Sequence, residues 1–321
     1  MGGLRIVGET RDFLGEGPVW CAREQALYWV DIRAPAVRRL SAGGEVTSWA
    51  MPEPVGSLAL REKGGILVAL KSALSVFDPA SGRIEKIADA PGHHAGLRFN
   101  DGKCDRQGRF WVGTMFAEAP GPTGFLYRLD GNGCAAVLDG IGIPNSLCWS
   151  PDGRTMYFTD SPKRVIWAFP YDPATGAIGE RRVFASLAAP MVGDGATVDA
   201  EGYLWSGNFG GWRVTRFAPD GSVDRVIALP ASNITSCAFG GPGLGTLFIT
   251  SAYQNLGDEQ RARQPAAGAA GLAIICDDFQ EEDQARRLLM KLEPNIDLLN
   301  ETLRRMVTPL LEKYRYDLRV P

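Results

Sequence analysis

The chain has 321 residues, 45% of them hydrophobic, so it can bury a large core as one all-β domain or as two smaller domains. Its 34 lysine and arginine residues nearly balance 37 aspartate and glutamate residues, and no long block of one sign offers a nucleic-acid or membrane surface. We therefore expect a small-molecule ligand. The opening MGGLRIVGETR lacks the apolar core of a signal peptide and the length of a membrane span, which predicts a cytoplasmic protein.

Strand-like apolar runs recur along the chain. They start at Ala26, Gly65, Arg109, Thr155, Tyr203 and Thr246, with separations of 39, 44, 46, 48 and 43 residues. A further apolar strand precedes each run and another follows it, after a longer gap in the sixth repeat, and most runs come after a Gly-, Asp- or Pro-rich turn. This period predicts an all-β fold, a six-bladed β-propeller with four-stranded blades. Leu4 to Gly8 is a candidate strand for closing the ring on the last blade.

In four of the repeats, a polar residue stands at nearly the same position of the first strand. Nine or ten residues before the strong apolar run stand Glu16, Asn100, Asn145 and Asp194. Because the first strand of each blade lines the central channel, we expect these side chains to converge. Two carboxylates and two amides suit calcium, magnesium or manganese, with zinc less favoured. Any one of them alone is better explained as a turn or cap residue, and their recurrence favours a site.

The cysteines and histidines give weaker indications of a functional site than the polar residues do. The six cysteines are scattered without CxxC pairs, which predicts reduced thiols. Cys104, Cys148 and Cys237 follow the polar positions, and we interpret them as small packing residues rather than thiolate ligands. The adjacent His93 and His94 lie on a predicted loop at the channel mouth without an acidic partner, which favours a surface role over catalysis.

Four segments carry a family resemblance. LGEGPVW from Leu14, RFNDGKCD from Arg98 with GRFWVGTM after it, IPNSLCWSPDGRTMYFTDS from Ile143 and GDGATVDAEGYLW from Gly193 resemble the signature segments of the SMP-30/gluconolactonase/luciferin-regenerating-enzyme (regucalcin-like) family. The resemblance extends from about residue 10 to about residue 255, with the segments in the family's order.

The resemblance implies a hydrolase that uses one divalent metal ion (Ca, Mg, Mn or Zn) to open a sugar lactone to an aldonic acid. It implies metal ligands at Glu16, Asn145 and Asp194, lactone contacts at Arg98 and Asn100, a supporting or water-binding Asp101, and a substrate-contacting acid near Glu118. Asp194 is the first candidate for the catalytic base and Asp101 the second. Two alternatives stay open: a non-catalytic calcium-binding or regulatory propeller, and a metal-dependent aryl-ester or organophosphate hydrolase.

The C-terminal segment departs from the family. We predict a propeller domain over residues 1–275 and a helical extension over residues 276–321, because apolar residues from Leu288 to Leu303 recur at three- and four-residue spacing, with a break at Pro294. Such a helix must bury its apolar stripe, either against the propeller or in a homo-oligomer. An unrelated sequence fused to the domain is the third interpretation.

Overall fold

The computed structural model describes residues 4–7, 10–118, 121–269 and 272–275. The larger of two compact units spans Leu4–Ala273 and contains all of the described strands in full except the last. The predicted helical extension over residues 276–321, and any homo-oligomer contact made through it, lie outside the described residues. No helix among the described residues has the length and apolar character needed to cross a membrane.

Strand β1 (Leu4–Ile6) precedes four sheets whose strands follow one another along the chain and pair antiparallel. The first sheet holds β2 (Gly15–Cys21), β3 (Ala26–Asp31), β4 (Ala36–Leu40) and β5 (Val46–Ala50). The second holds β6 (Val55–Leu60), β7 (Ile66–Leu70), β8 (Leu74–Phe77) and β9 (Ile84–Ala88). The third holds β10 (Leu97–Cys104), β11 (Phe110–Phe116), β12 (Gly124–Asp130) and β13 (Gly133–Ile141). The fourth holds β14 (Pro144–Trp149), β15 (Thr155–Asp160), β16 (Val165–Asp172), β17 (Ala177–Ile178) and β18 (Arg182–Ser186).

The fifth sheet has eight strands. It holds β19 (Val192–Val198), β20 (Leu204–Phe209), β21 (Arg213–Phe217), β22 (Val223–Ala228), β23 (Asn233–Gly240), β24 (Thr246–Ala252), β25 (Leu272–Ile275) and β1. The pairing order is β1-β25-β24-β23-β20-β21-β22, with β19 on the other edge of β20. A short helix, α1 (Asp258–Arg263), follows β24, and two 3-10 turns occupy Ser161–Lys163 and Pro242–Leu244.

The prediction of six blades is wrong, because the described strands form five sheets. The fifth and sixth sequence repeats are joined by a single antiparallel pair, Phe209 with Asn233, which makes one sheet of them. Sequence periodicity counts repeats but carries no signal for a pair between the edges of two repeats. The all-β propeller class is confirmed, and so is closure by the N-terminal strand, since β1 pairs with β25.

The largest fully buried side chains are three tryptophans, one each in β3, β11 and β20: Trp29, Trp111 and Trp205. A buried indole needs an acceptor for its N–H, and an aspartate supplies it in each case. The acceptors are Asp12 (2.8 Å), Asp105 (3.4 Å) and Asp199 (2.9 Å). These pairs fix the tryptophans in the packing between strands.

The innermost strands β2, β6, β10, β14, β19 and β23 contact one another in a closed ring. In each of these strands, the residue-by-residue pairing with the next strand of the sheet is interrupted at a similar position. The interruption follows Glu16, Val55, Phe99, Asn145, Gly193 and Ile234. A bulge of this kind bends the strand and releases residues from the alternation of faces. Neighbouring residues at the interruption can therefore both face the channel.

Glycine is required where inner strands cross closely. A Cβ on Gly56 of β6 would lie 2.4 Å from the backbone oxygen of Phe99 in β10, and a Cβ on Gly195 of β19 would lie 2.0 Å from the Ser236 hydroxyl in β23. The ring can be this narrow only because these positions lack a side chain.

We expect Gly56→Ala to lower the free energy of unfolding by about 1 to 3 kcal/mol, because the clash is with backbone that cannot rotate away. The matched control is Gly131→Ala, where an added Cβ meets nothing within 4 Å. Urea denaturation of the two variants checks the prediction. Equal stability for both would show that the inner ring is more open than the structure has it.

Candidate active site

The four recurring polar residues lie at the register interruptions of their strands. Glu16 and Asn145 are the last paired residues before the interruption, whereas Asn100 and Asp194 are the first residues within it. All four are buried, with 3% to 7% of their surface exposed. The four residues therefore occupy two neighbouring strand positions. This is why the spacing to the next apolar run is ten residues for Glu16 and Asn145 but nine for Asn100 and Asp194.

The carboxyl groups of Glu16 and Asp194 are neighbours in the site, and each acts on the pKa of the other. Burial, followed by the negative charge of Asp101, raises the pKa of Glu16 to about 8. Burial and the charge of Glu16 hold the pKa of Asp194 well above its usual range. Two carboxylates this close in a low-dielectric site cannot both ionise at no cost, so they share a proton.

A chain of hydrogen bonds connects the amides across three inner strands. Arg98 Nη1 donates to Asn100 Oδ1 (2.7 Å), and Asn100 Nδ2 donates to Asn145 Oδ1 (3.0 Å). Asn145 Nδ2 then donates to Ser161 Oγ (2.8 Å), which donates to the Gly193 carbonyl (2.6 Å). The chain starts at a group that can only donate and ends at one that can only accept, which fixes the orientation of both amides.

Asp101 lies beside this chain and is held by backbone. Its Oδ2 accepts the N–H of Leu147 at 2.9 Å. Burial raises its pKa, and the charge of Lys103 opposes that effect. The Lys103 ammonium donates to the Ala196 carbonyl on β19 (2.6 Å), so a positive charge reaches from β10 to β19.

Among the described residues, the remaining sequence candidates make no hydrogen bond to the carboxyl pair or to the hydrogen-bond chain. Glu118 is exposed on the bend after β11. His93 stacks on Phe99 with the ring centres 4.9 Å apart, and its Nε2 lies 2.6 Å from the Lys71 carbonyl. Burial raises the pKa of Cys148 and of Cys237 to about 12, so both stay protonated thiols.

Ser146, Ser161 and Lys103 contribute contacts that the sequence did not indicate. Ser146 has a left-handed φ of 61° at the interruption in β14, and its hydroxyl donates to the Asp194 carbonyl. A serine beside a strand end is too common to single out. The sequence signal that could have indicated Ser161 is its position directly after the strand TMYFTD.

The donor set fits a hard divalent cation. Glu16 and Asp194 supply two buried carboxyl groups that must otherwise share a proton, and Asn145 supplies an amide oxygen. Among the described residues, no group of three or more His, Cys, Asp or Glu side chains is placed to hold a metal. A site built from these residues would combine two carboxylates with an amide oxygen, which are ligand types that calcium and magnesium accept.

The shared proton predicts a pH dependence for the metal-free protein. Burial raises the pKa of Glu16 from its ordinary value of 4.5 to about 8, so its contribution to stability is full below pH 4.5 and is lost as the pH rises from there through 8. We expect the Glu16→Gln variant to lack this loss. The measurement is the free energy of unfolding against pH in a chelator, and parallel curves for the two proteins would contradict the prediction.

Removing the Ser161 hydroxyl should break the hydrogen-bond chain. Ser161→Ala leaves the buried Asn145 amide N–H and the Gly193 carbonyl without these partners, at an expected loss of about 1 to 3 kcal/mol. The control is Ser81→Ala, where the exposed hydroxyl donates to Asp78 and accepts the Arg83 N–H, with an expected change of about 0.5 kcal/mol or less because water can replace both partners. Thermal or urea unfolding compares them, and equal losses would argue against the chain.

Two sequence relatives match most of this chain. The 6-deoxy-6-sulfogluconolactonase of Pseudomonas putida is 40% identical over 269 residues, covering 83% of this chain and 92% of that protein. The L-arabinolactonase of Azospirillum brasilense is 38% identical over 282 residues, covering 85% and 92% respectively.

A solved structure described as a calcium-binding protein, regucalcin, from Agrobacterium tumefaciens superposes with a TM-score of 0.81. It is 31% identical and covers 85% of this chain and 95% of that one. Residues 14–253 match the family described as the SMP-30/gluconolactonase/LRE-like region. This range holds all the residues of the carboxyl pair and the hydrogen-bond chain, and the resemblance noted in the sequence is confirmed. The chain belongs to the SMP-30/gluconolactonase/LRE-like family.

Proposed function

We propose that this protein is a sugar lactonase that holds one divalent cation on Glu16, Asn145 and Asp194 and hydrolyses the lactone to an aldonic acid. The relatives named as acting on 6-deoxy-6-sulfogluconolactone and L-arabinolactone support the substrate class, and they differ in whether the sugar carries a charged substituent. The cation-binding part of the proposal is supported by the chemistry of the buried carboxyl and amide groups.

The observation that carries the proposal is the burial of two neighbouring carboxyl groups, Glu16 and Asp194, which would share a proton in the absence of a cation. A divalent cation would replace that proton and remove the repulsion between the two carboxylates. When bound, the cation would polarise the lactone carbonyl as a Lewis acid. The described residues then have to orient the sugar and handle the proton of the attacking water.

Arg98 is the donor best placed to hold the substrate. Its Nη1 is occupied by Asn100 and by the Phe99 carbonyl (2.9 Å), while its Nε is buried without a hydrogen-bond partner. Asn100 donates to both the Pro144 carbonyl (3.0 Å) and Asn145, so its amide N–H groups are already used. We therefore assign Arg98 to sugar contact and Asn100 to positioning Arg98 and Asn145.

Asp194 is the better base of the two candidates. Asp101 on β10 accepts the backbone N–H of Leu147 on β14, which commits it to holding the two strands together. In the proposed reaction Asp194 accepts the proton of the attacking water as the water oxygen bonds to the carbonyl carbon. The bond from that carbon to the ring oxygen breaks, and the proton passes to the ring oxygen, which leaves as a hydroxyl of the aldonic acid.

A panel of aldonolactones, assayed by acid release with and without chelator, tests the proposal. Asp194→Asn should lower kcat/KM by about a hundredfold or more and weaken cation binding, because it removes a charge and the base. Arg98→Ala should chiefly raise KM and leave cation binding intact. The exposed Arg106→Ala serves as control.

The outcomes separate the functions. Cation binding without hydrolysis of any lactone would indicate a non-catalytic calcium-binding protein, in line with the description of the regucalcin structure. Hydrolysis that survives the chelator and Asp194→Asn would contradict the site. Loss of the cation in Arg98→Ala would make that residue structural.

A further inference from the structure

Two aspartates occupy equivalent places in the first and fourth sheets. Asp31 is the last residue of β3 and Asp160 is the last residue of β15, and both side chains are buried. Each aspartate pairs with the residue directly before a proposed cation ligand, which is Glu16 in the first sheet and Asn145 in the fourth. The two aspartates therefore lie beside the entry to the strands that carry these ligands.

In the first sheet, the Asp31 carboxylate holds the backbone that leads into β2. Its Oδ2 accepts the N–H of Phe13 at 2.8 Å, and its Oδ1 accepts the N–H of Leu14 at 3.1 Å. Oδ1 also accepts two N–H groups of the turn that follows β3. One buried side chain thus ties this turn to the residues that stand three and two places before Glu16.

The Asp160 carboxylate makes the equivalent contact in the fourth sheet. Its Oδ1 accepts the N–H groups of Gly142 (3.1 Å) and Ile143 (3.0 Å), which stand three and two places before Asn145. Its Oδ2 forms an ion pair with the Lys163 ammonium at 2.9 Å. Both bonds to the entering backbone therefore fall on one oxygen, whereas in the first sheet they are divided between two oxygens.

A backbone hydrogen bond completes the arrangement in both sheets. Ile32 donates its N–H to the Leu14 carbonyl, and Ser161 donates its N–H to the Ile143 carbonyl, each at 3.0 Å. The Ser161 hydroxyl also accepts the amide N–H of Asn145 at 2.8 Å. In the fourth sheet, the end of β15 therefore holds both the backbone before the ligand and the side chain of the ligand.

The aspartates stand at the sixth residue of the recurring apolar run, and this position makes other contacts in the remaining repeats. Thr114 accepts an N–H from β12, Asn208 accepts a hydroxyl from β21, and Ser251 donates to carbonyls of the segment after α1. Leu70 has no polar side chain. Of these six described positions, only the two aspartates bind the backbone that enters an inner strand.

We propose that Asp31 and Asp160 are positioning residues, which fix the backbone entering β2 and β14 and so hold Glu16 and Asn145 in the geometry that the cation site needs. The inference rests on the proposed function, which takes these two residues as ligands. Neither aspartate touches the cation. Ligands have to be held within about 0.5 Å of their working positions, and the residues that support metal ligands change affinity by about 10- to 100-fold when they are replaced.

The division of the hydrogen bonds between oxygens gives the test. In Asp160→Asn the amide oxygen can still accept both backbone N–H groups, whereas in Asp31→Asn an NH₂ group that cannot accept replaces one of the two acceptors. We expect Asp31→Asn and Asp160→Ala to weaken cation binding about tenfold or more. Asp160→Asn should stay within about threefold of the wild type, because it loses only the ion pair with a half-exposed lysine. Calorimetric titration with calcium and with manganese, without lactone, measures the affinities.

The control is Asp105→Ala. Asp105 is a buried aspartate beyond the end of β10, and its carboxylate accepts the backbone N–H groups of Gln107 and Arg109 at 2.9 Å each. Its removal should destabilise the fold without changing the cation affinity of the folded protein, which circular dichroism verifies for every variant. Wild-type affinity in both Asp31→Asn and Asp160→Ala would overturn the inference, and so would equal weakening in Asp160→Asn and Asp160→Ala.

Amide hydrogen exchange of the metal-free protein tests the positioning without any ligand. Asp31→Asn should speed exchange of the Ile32 N–H, and Asp160→Ala that of the Ser161 N–H, by about tenfold or more, because their carbonyl partners are no longer fixed. Asp105→Ala should leave both protected. A wild type that binds neither cation contradicts the proposed function, whereas unchanged exchange at Ile32 and Ser161 overturns the inference whatever the cation result.

Discussion

The buried contact between the Glu16 and Asp194 carboxyl groups is the constraint on which the rest of the site depends. Water cannot solvate either charge, so the pair needs a proton or a cation. The surrounding charges moderate this requirement: Arg98 and Lys103 lie near, while Asp101 adds a third carboxyl group. The site therefore favours positive charge at its centre, between the two carboxyl groups.

The amide and hydroxyl groups around the pair give it a fixed geometry. A hydrogen-bond chain that begins at an obligate donor and ends at a backbone carbonyl leaves each amide one orientation. Ser161 and Ser146 both donate to backbone carbonyls of β19, at Gly193 and Asp194. Asn145 and Asp194 are thus held by the same contacts, which keeps two proposed cation ligands on neighbouring strands in register.

The close packing and irregular pairing of the inner strands bring these groups together. Glycines at the crossings bring backbones close enough to crowd the axis, and the register interruptions turn adjacent residues toward it. A regular strand would present only alternate residues to the channel. Glu16 and Asn145, which precede the interruption, would then point away from Asn100 and Asp194, which lie within it, and the four groups would not share one site.

The sequence by itself determined the all-β repeat, the closing strand Leu4–Ile6, the bounds of strands such as Ala26–Asp31, and the identity of the buried polar residues. Local propensity and recurrence are written in the chain, so these could be predicted. Tertiary structure alone decided that Phe209 pairs with Asn233 and merges two repeats into one sheet, and that Ser161 completes the amide chain. Contacts of this kind join residues far apart in sequence that no local pattern links.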